Sequence, residues 1–113
     1  MPFHELLNGI LLRKGVHAAV FMDSQGEVIL SRGELDSEKL HLVGAYQAIL
    51  LTSAERLGFT PNRTIVTICN GRSILTHHLK DGYFISVVFS PEENYQQMHF
   101  QLEDAYRRLM EEL

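Results

Sequence analysis

Two adjacent histidines, His77 and His78, and a single cysteine, Cys69, are the residues whose types could do chemistry. Imidazole and thiolate are common metal ligands, bases and nucleophiles, so they are weighed first. The histidines fall in the run Arg72 to about Leu79, which reads as a strand, and neighbours on a strand point to opposite faces. They therefore cannot close together on one ion in the usual way, and they read as surface and partly buried strand histidines. Asn70-Gly71 lies between two β-rich runs and signals a two-residue hairpin, which sets Cys69 opposite Arg72 and His77 opposite Thr64. That register keeps His77 far from Cys69, so no Cys-His nucleophile pair is expected. Cys69 reads as a small apolar filler beside the turn.

The other chemical signals point the same way. None of the patterns G-x-x-x-x-G-K-[ST], G-x-G-x-x-G or G-x-S-x-G occurs, which removes the common nucleotide-binding and hydrolase signatures. Glu103, Asp104, Glu111 and Glu112 share the last helical segment with Arg107 and Arg108, and read as a solvated, ion-paired face. No catalytic group, metal or cofactor is expected, and the chain is not read as an enzyme.

Composition bounds the class. With 113 residues, 45% hydrophobic and 21% charged, the chain is expected to form one domain over residues 1–113 with an ordinary core. The formal charge of -4 argues against nucleic acid or an anionic membrane as partner. A lone cysteine and the lack of a signal-peptide pattern give a cytoplasmic expectation, and the longest apolar run, Ile49-Leu50-Leu51, is far too short to span a bilayer.

The elements follow from periodicity and punctuation. Phe3, Leu6, Leu7, Ile10 and Leu11 form a helical stripe between Pro2 and Lys14, with Gly15 as exit. Val16 to Met22 is apolar on both faces and reads as a central strand. Asp23-Ser24-Gln25-Gly26 is a turn into a second strand, Glu27 to Arg32. After Gly33-Glu34-Leu35, Asp36 or Ser37 caps a long helix that stops at Leu57-Gly58. Thr60-Pro61-Asn62 leads to a strand from Arg63 to Cys69. The next strand begins at Arg72, and Asp81-Gly82 turns the chain into a fifth, Tyr83 to Phe89, again apolar on both faces. Placing the two most apolar strands side by side gives an antiparallel sheet of order 2-1-5-4-3 in an α/β (α+β) chain. Ser90-Pro91-Glu92-Glu93 has the form of a capping box for the last helix, whose apolar face is Tyr95, Met98, Leu102, Ala105, Tyr106, Leu109 and Leu113. Phe100 falls outside that stripe.

The long second helix is unusual. Leu40, Val43, Gly44, Leu50, Leu51, Ala54 and Leu57 make one face, and Leu42, Tyr46 and Ile49 extend it sideways to about twice the ~100° a sheet-packed helix needs. Something besides its own sheet is expected to cover it.

Taken together, Gly15-Val16-His17-Ala18-Ala19-Val20 leading to Asp23-Ser24-Gln25-Gly26-Glu27-Val28-Ile29, the helix end Ala54-Glu55-Arg56-Leu57-Gly58, and Lys80-Asp81-Gly82-Tyr83 make the chain resemble the roadblock (dynein light chain) family over nearly its whole length. It is most similar to the bacterial stand-alone members, which include activators of a motility-switch GTPase. The resemblance implies a profilin-like fold, with the long helix on one face of the sheet and the N- and C-terminal helices on the other. It implies a dimer in which the strand Arg63 to Cys69 pairs with its mate and the second helices pack together. Leu42, Val43, Tyr46, Ile49, Leu50, Ile65, Thr67 and Cys69 would then form the interface. It also implies a non-catalytic regulator or scaffold for a small Ras-like GTPase, with Arg56, Arg72 and Phe100 as candidate partner contacts. An arginine could act in trans on the transferred phosphoryl group, or the platform could hold the partner's switch loops. The alternative is a PAS-like sensor, which shares the sheet order and would take a small ligand between sheet and helix.

Overall fold

The computed structural model describes residues 2–23, 25–34, 36–58, 64–69 and 71–113; the side chains of Pro2, Ser37, Glu55 and Cys69 also lie outside that description. The elements run α1 (Pro2–Leu11), β1 (Val16–Met22), β2 (Val28–Gly33), α2 (Ser37–Arg56), β3 (Thr64–Cys69), β4 (Arg72–His78), β5 (Phe84–Phe89) and α3 (Tyr95–Glu112). The turn residues explain the order. Asp23 accepts from the backbone N–H groups of Gln25 and Glu27 at 2.9 and 3.0 Å, which folds β2 back onto β1. Asp81 and Gly82 both take positive φ, 55° and 78°, and Tyr83 N donates to Lys80 O across them at 3.0 Å. Because His78 pairs with Phe84 and Leu79 N donates to Tyr83 O, the loop that joins β4 to β5 is the three residues Lys80-Asp81-Gly82, one more than the two-residue hairpin that Asp81-Gly82 signals. The β3–β4 register pairs Cys69 with Arg72 and Thr64 with His77, the pairing read from Asn70-Gly71, although Asn70 itself lies outside the described residues.

The sheet is five-stranded and antiparallel, ordered β2-β1-β5-β4-β3. The strands apolar on both faces, β1 and β5, are its buried middle. Alternation then divides the core in two. Ala19, Phe21, Leu75, Ile85, Val87 and Phe89 face α1 and α3, while Ala18, Val20, Met22, Ile74, Phe84 and Val88 face α2. At ~25 cal/mol per Å2, each fully buried Leu, Ile or Phe in these layers contributes roughly 2 kcal/mol.

Several boundaries differ from the sequence reading. α1 stops at Leu11, β2 starts at Val28 and β5 at Phe84. The strand start at Arg63 and the Thr60-Pro61-Asn62 link, like Ser24 and Leu35, lie outside the described residues. Asp36, and not Ser37, caps α2, its Oδ1 accepting from Lys39 N at 2.8 Å. Leu57 lies past the helix end and is exposed. The larger correction concerns α3. Ser90-Pro91-Glu92-Glu93 is a turn and not a capping box: Glu93 N donates to Ser90 O, while the Ser90 hydroxyl is taken by Glu92. Asn94 is the true cap, accepting from Gln96 and Gln97 N at 2.9 and 3.1 Å. The reason is that Ser90 N still donates to Gly15 O at 2.8 Å, prolonging the β1–β5 end, and Glu93 packs against Gly15. Tyr95, in the first turn of α3, is consequently half exposed and not part of the buried stripe.

Candidate interface

α2 approaches the first hairpin closely. A Cβ on Gly26 would lie 2.9 Å from the Ala45 Cα, and one on Gly44 would meet Val28 and Met22 at 3.1 and 3.4 Å. This contact seats α2 over β1, β2 and β5. Leu40, Gly44, Gln47, Ala48 and Leu51 are buried beneath it. The same face of β3 and β4 is left beside the helix as an open groove of about 540 Å3, lined by Leu42, Val43, Tyr46, Gln47, Leu50, Thr67 and Ile74.

Most of the residues expected at the dimer interface gather there. Leu42, Tyr46 and Ile49 are 62, 69 and 63% exposed and form a ridge along α2. Val43 and Leu50 are half-buried on the groove side of that ridge. Ile65 and Thr67 are half-buried on β3 and share the α2 side of the sheet, Ile65 packing with that core layer and Thr67 approaching Gln47. Cys69 is the last residue of β3, and its side chain lies outside the description.

The sheet has two edges, and they differ. On the β2 edge the ladder to β1 shifts register between Phe21 and Met22, leaving Ile29 as an extra, half-exposed residue; such a bulge spoils an edge for further pairing. The β3 ladder to β4 runs through six consecutive pairs without a shift, so its outer edge is regular. The groove lies along the regular edge.

The candidate partner contacts do not converge. Arg56 is exposed at the end of α2. Arg72 is half-buried at the start of β4, its Nη1 buried without a partner among the described residues. Phe100 is 74% exposed on α3, across the sheet from Tyr46, so the two aromatics belong to different surfaces.

The histidines sit on opposite faces, as strand alternation requires. His77 stacks on Tyr106 with ring centroids 4.3 Å apart, tilts against His99 at 5.4 Å, and its Nδ1 is 2.6 Å from Thr64 Oγ1. His78 tilts against Phe84 in the α2-side layer. Burial, then the neighbouring His99 and His78, pushes His77 down to about 4, so it is neutral near pH 7. Burial likewise raises the Tyr106 phenol. Among the described residues, no group of three or more His, Cys, Asp or Glu could hold a metal ion. The α3 carboxylates are exposed, and two of the four expected to be ion-paired are so: Arg107 contacts Asp104 and Glu111, and Arg108 Nε lies 2.9 Å from Asp104, while Glu103 and Glu112 make no ion pair among the described residues. Asp104 titrates below its usual value because Arg107 donates a hydrogen bond to it.

Sequence reasoning missed Gln47. It is 2% exposed, under the groove, with Thr76 and Ser86 buried beside it. The signal was present, since Gln47 falls three residues from Gly44 and four from Leu51 on the buried stripe, and the β4–β5 register pairs Thr76 with Ser86.

No described helix is long and apolar enough to cross a membrane. By sequence, neither a family model nor a curated protein matches the chain. By structure, it is similar to the gliding protein MglB from Thermus thermophilus, with a TM-score of 0.82 and 15% identity over 97% of this chain and 87% of that one. MglC from Myxococcus xanthus matches with a TM-score of 0.74 and 17% identity, each chain covered completely. A roadblock/LC7 domain from Streptomyces avermitilis gives a TM-score of 0.77 and 15% identity, over 93% and 92% of the two chains. With its 2-1-5-4-3 sheet, α2 on one face and α1 and α3 on the other, the chain has the roadblock/LC7 fold.

Proposed function

We propose that this chain is a non-catalytic, self-associating platform that binds a small Ras-like GTPase and acts on it as regulator or scaffold. The observation that carries the reading is the regular, outward-facing edge of β3 lying beside an apolar groove and the exposed ridge of Leu42, Tyr46 and Ile49. A strand edge is satisfied by another strand, and a strand pairing antiparallel with its own copy generates a two-fold axis. With that axis perpendicular to the sheet, both copies of α2 lie on the same face. Each then lies beside the other's ridge, so one operation covers the groove and the ridge and prolongs the sheet to ten strands.

The GTPase part rests on the resemblance to roadblock proteins and on the shared fold with the gliding protein MglB. The chain has none of the phosphate-binding motifs sought above, so in this reading the nucleotide belongs to the partner. Regulation then needs only that the platform bind one nucleotide state of the partner better than the other.

The test has two parts. Native mass spectrometry over a range of concentrations should give a ligand-free dimer; a monomer carrying a small-molecule adduct would favour the sensor reading. Small Ras-like GTPases from the same genome, loaded with GDP or a non-hydrolysable GTP analogue, should bind with affinities differing by about tenfold or more, equivalent to ~1.4 kcal/mol. Equal affinity for both states in every case would leave a scaffold and remove the regulator.

A further inference from the structure

The groove beside α2 has an apolar helix wall, an apolar strand residue in Ile74, and one deeply buried polar side chain between them, Gln47. Its Oε1 accepts from Thr76 Oγ1 at 2.8 Å, and Thr76 in turn shares a hydrogen bond with Ser86 Oγ at 2.7 Å. Thr67 Oγ1, on the edge strand, lies 3.4 Å from both Gln47 Oε1 and Nε2. The polar chain therefore runs from β5 through β4 to α2 and out to β3. It links β5, which α2 covers, to the edge strand β3 on the groove side of the helix.

An apolar side chain of the same volume would fill this position at lower desolvation cost, because a buried amide has to find partners for two donors and two acceptor sites. A polar residue inside an otherwise apolar contact can instead serve to select one geometry, as a buried Asn does in a coiled coil. Such selection is needed here. β3 alternates Thr64, Val66 and Ile68 with Ile65, Thr67 and Cys69, and a two-residue slip of the strand against a copy of itself would return each set to its own face. The strand edge alone does not fix the register.

We propose that Gln47 is a positioning residue for self-association: it ties α2 to the edge strand β3, so that the helix wall and the strand edge meet a second copy of this chain in a single register. This inference rests on the self-association reading above. The polar chain is intramolecular, so it acts before the partner arrives, by holding the two parts of the surface at a fixed spacing.

The experiment compares the wild type with Gln47→Leu and Thr67→Val by sedimentation equilibrium and by 1H–15N NMR. A symmetric wild-type dimer gives one resonance per β3 amide. Both variants should still associate while their β3 amides split or broaden into more than one set. A single sharp set from variant dimers, with an unchanged dissociation constant, would overturn the proposal. If Gln47→Leu does not fold, Thr67→Val decides alone, because it removes the β3 end of the tether and leaves α2 intact. A monomeric wild type would instead sink the parent reading, a result distinct from single-register variant dimers.

Discussion

Gly26 in the first turn and Ala45 on α2 stand so close that a Cβ on Gly26 would come within 2.9 Å of the Ala45 Cα. The glycine also takes φ +82°, which side-chain-bearing residues avoid. Gly26→Ala therefore meets both backbone strain and a backbone neighbour that cannot rotate away. The expected loss is roughly 2 kcal/mol or more, read as a lowered urea midpoint with an unchanged m-value. Wild-type stability in this variant would mean that α2 is not seated on the hairpin as described.

The start of α3 gives a second test. Asn94→Ala removes an acceptor serving two backbone N–H groups and should cost about 1 kcal/mol in denaturant unfolding. Glu93→Gln should change stability little, since Glu93 does not reach back to cap the helix. The reverse ranking would restore the capping box.

Acid stability should report on His77. Its folded value, pushed to about 4, lies below its ordinary value of 6.5 because burial disfavours the charged ring, so the unfolded chain binds the extra proton between these limits. The neutral-ring contribution is fully present above about pH 6.5 and is lost as pH falls toward 4. His99 and Tyr106 from α3 and Thr64 from β3 contact the ring, His78 follows it on the opposite face of β4, and no carboxylate is among the groups that shift its titration. Unfolding midpoints measured at pH 7.5 and pH 4.5 should differ less in His77→Phe than in the wild type. An unchanged difference would place the acid sensitivity elsewhere.

The ridge predicts a mutation that separates folding from assembly. Ile49 is 63% exposed in the single chain, so Ile49→Asp should leave monomer stability within about 0.5 kcal/mol. In a dimer the same carboxylate would be buried unpaired in an apolar contact, and association should fall below detection. Sedimentation of the variant and its thermal unfolding separate the two effects. A variant as dimeric as the wild type would remove α2 from the interface.

Much of this was legible in the sequence because it is local. Asp81-Gly82 and the Asp23 turn fix which strands are neighbours, the two-sided apolar runs identify β1 and β5 as the middle, and the over-wide apolar arc of α2 exposed a surface without a cover. The cap of α3 was not legible, since Ser90-Pro91-Glu92-Glu93 and Asn94 are both sound starts and the choice is made by a distant carbonyl, Gly15 O. Gln47 was passed over for a similar reason. A glutamine on a helix stripe reads as a tolerated defect until Thr67 and Thr76 are brought under it by strands that lie 20 and 29 residues away in the chain.

The central claim is that the β3 edge and the α2 groove receive a second copy of this chain, and native mass spectrometry across a concentration series tests it most directly. The account predicts a dimer that persists on dilution and carries no bound small molecule. A monomer at every concentration would contradict it.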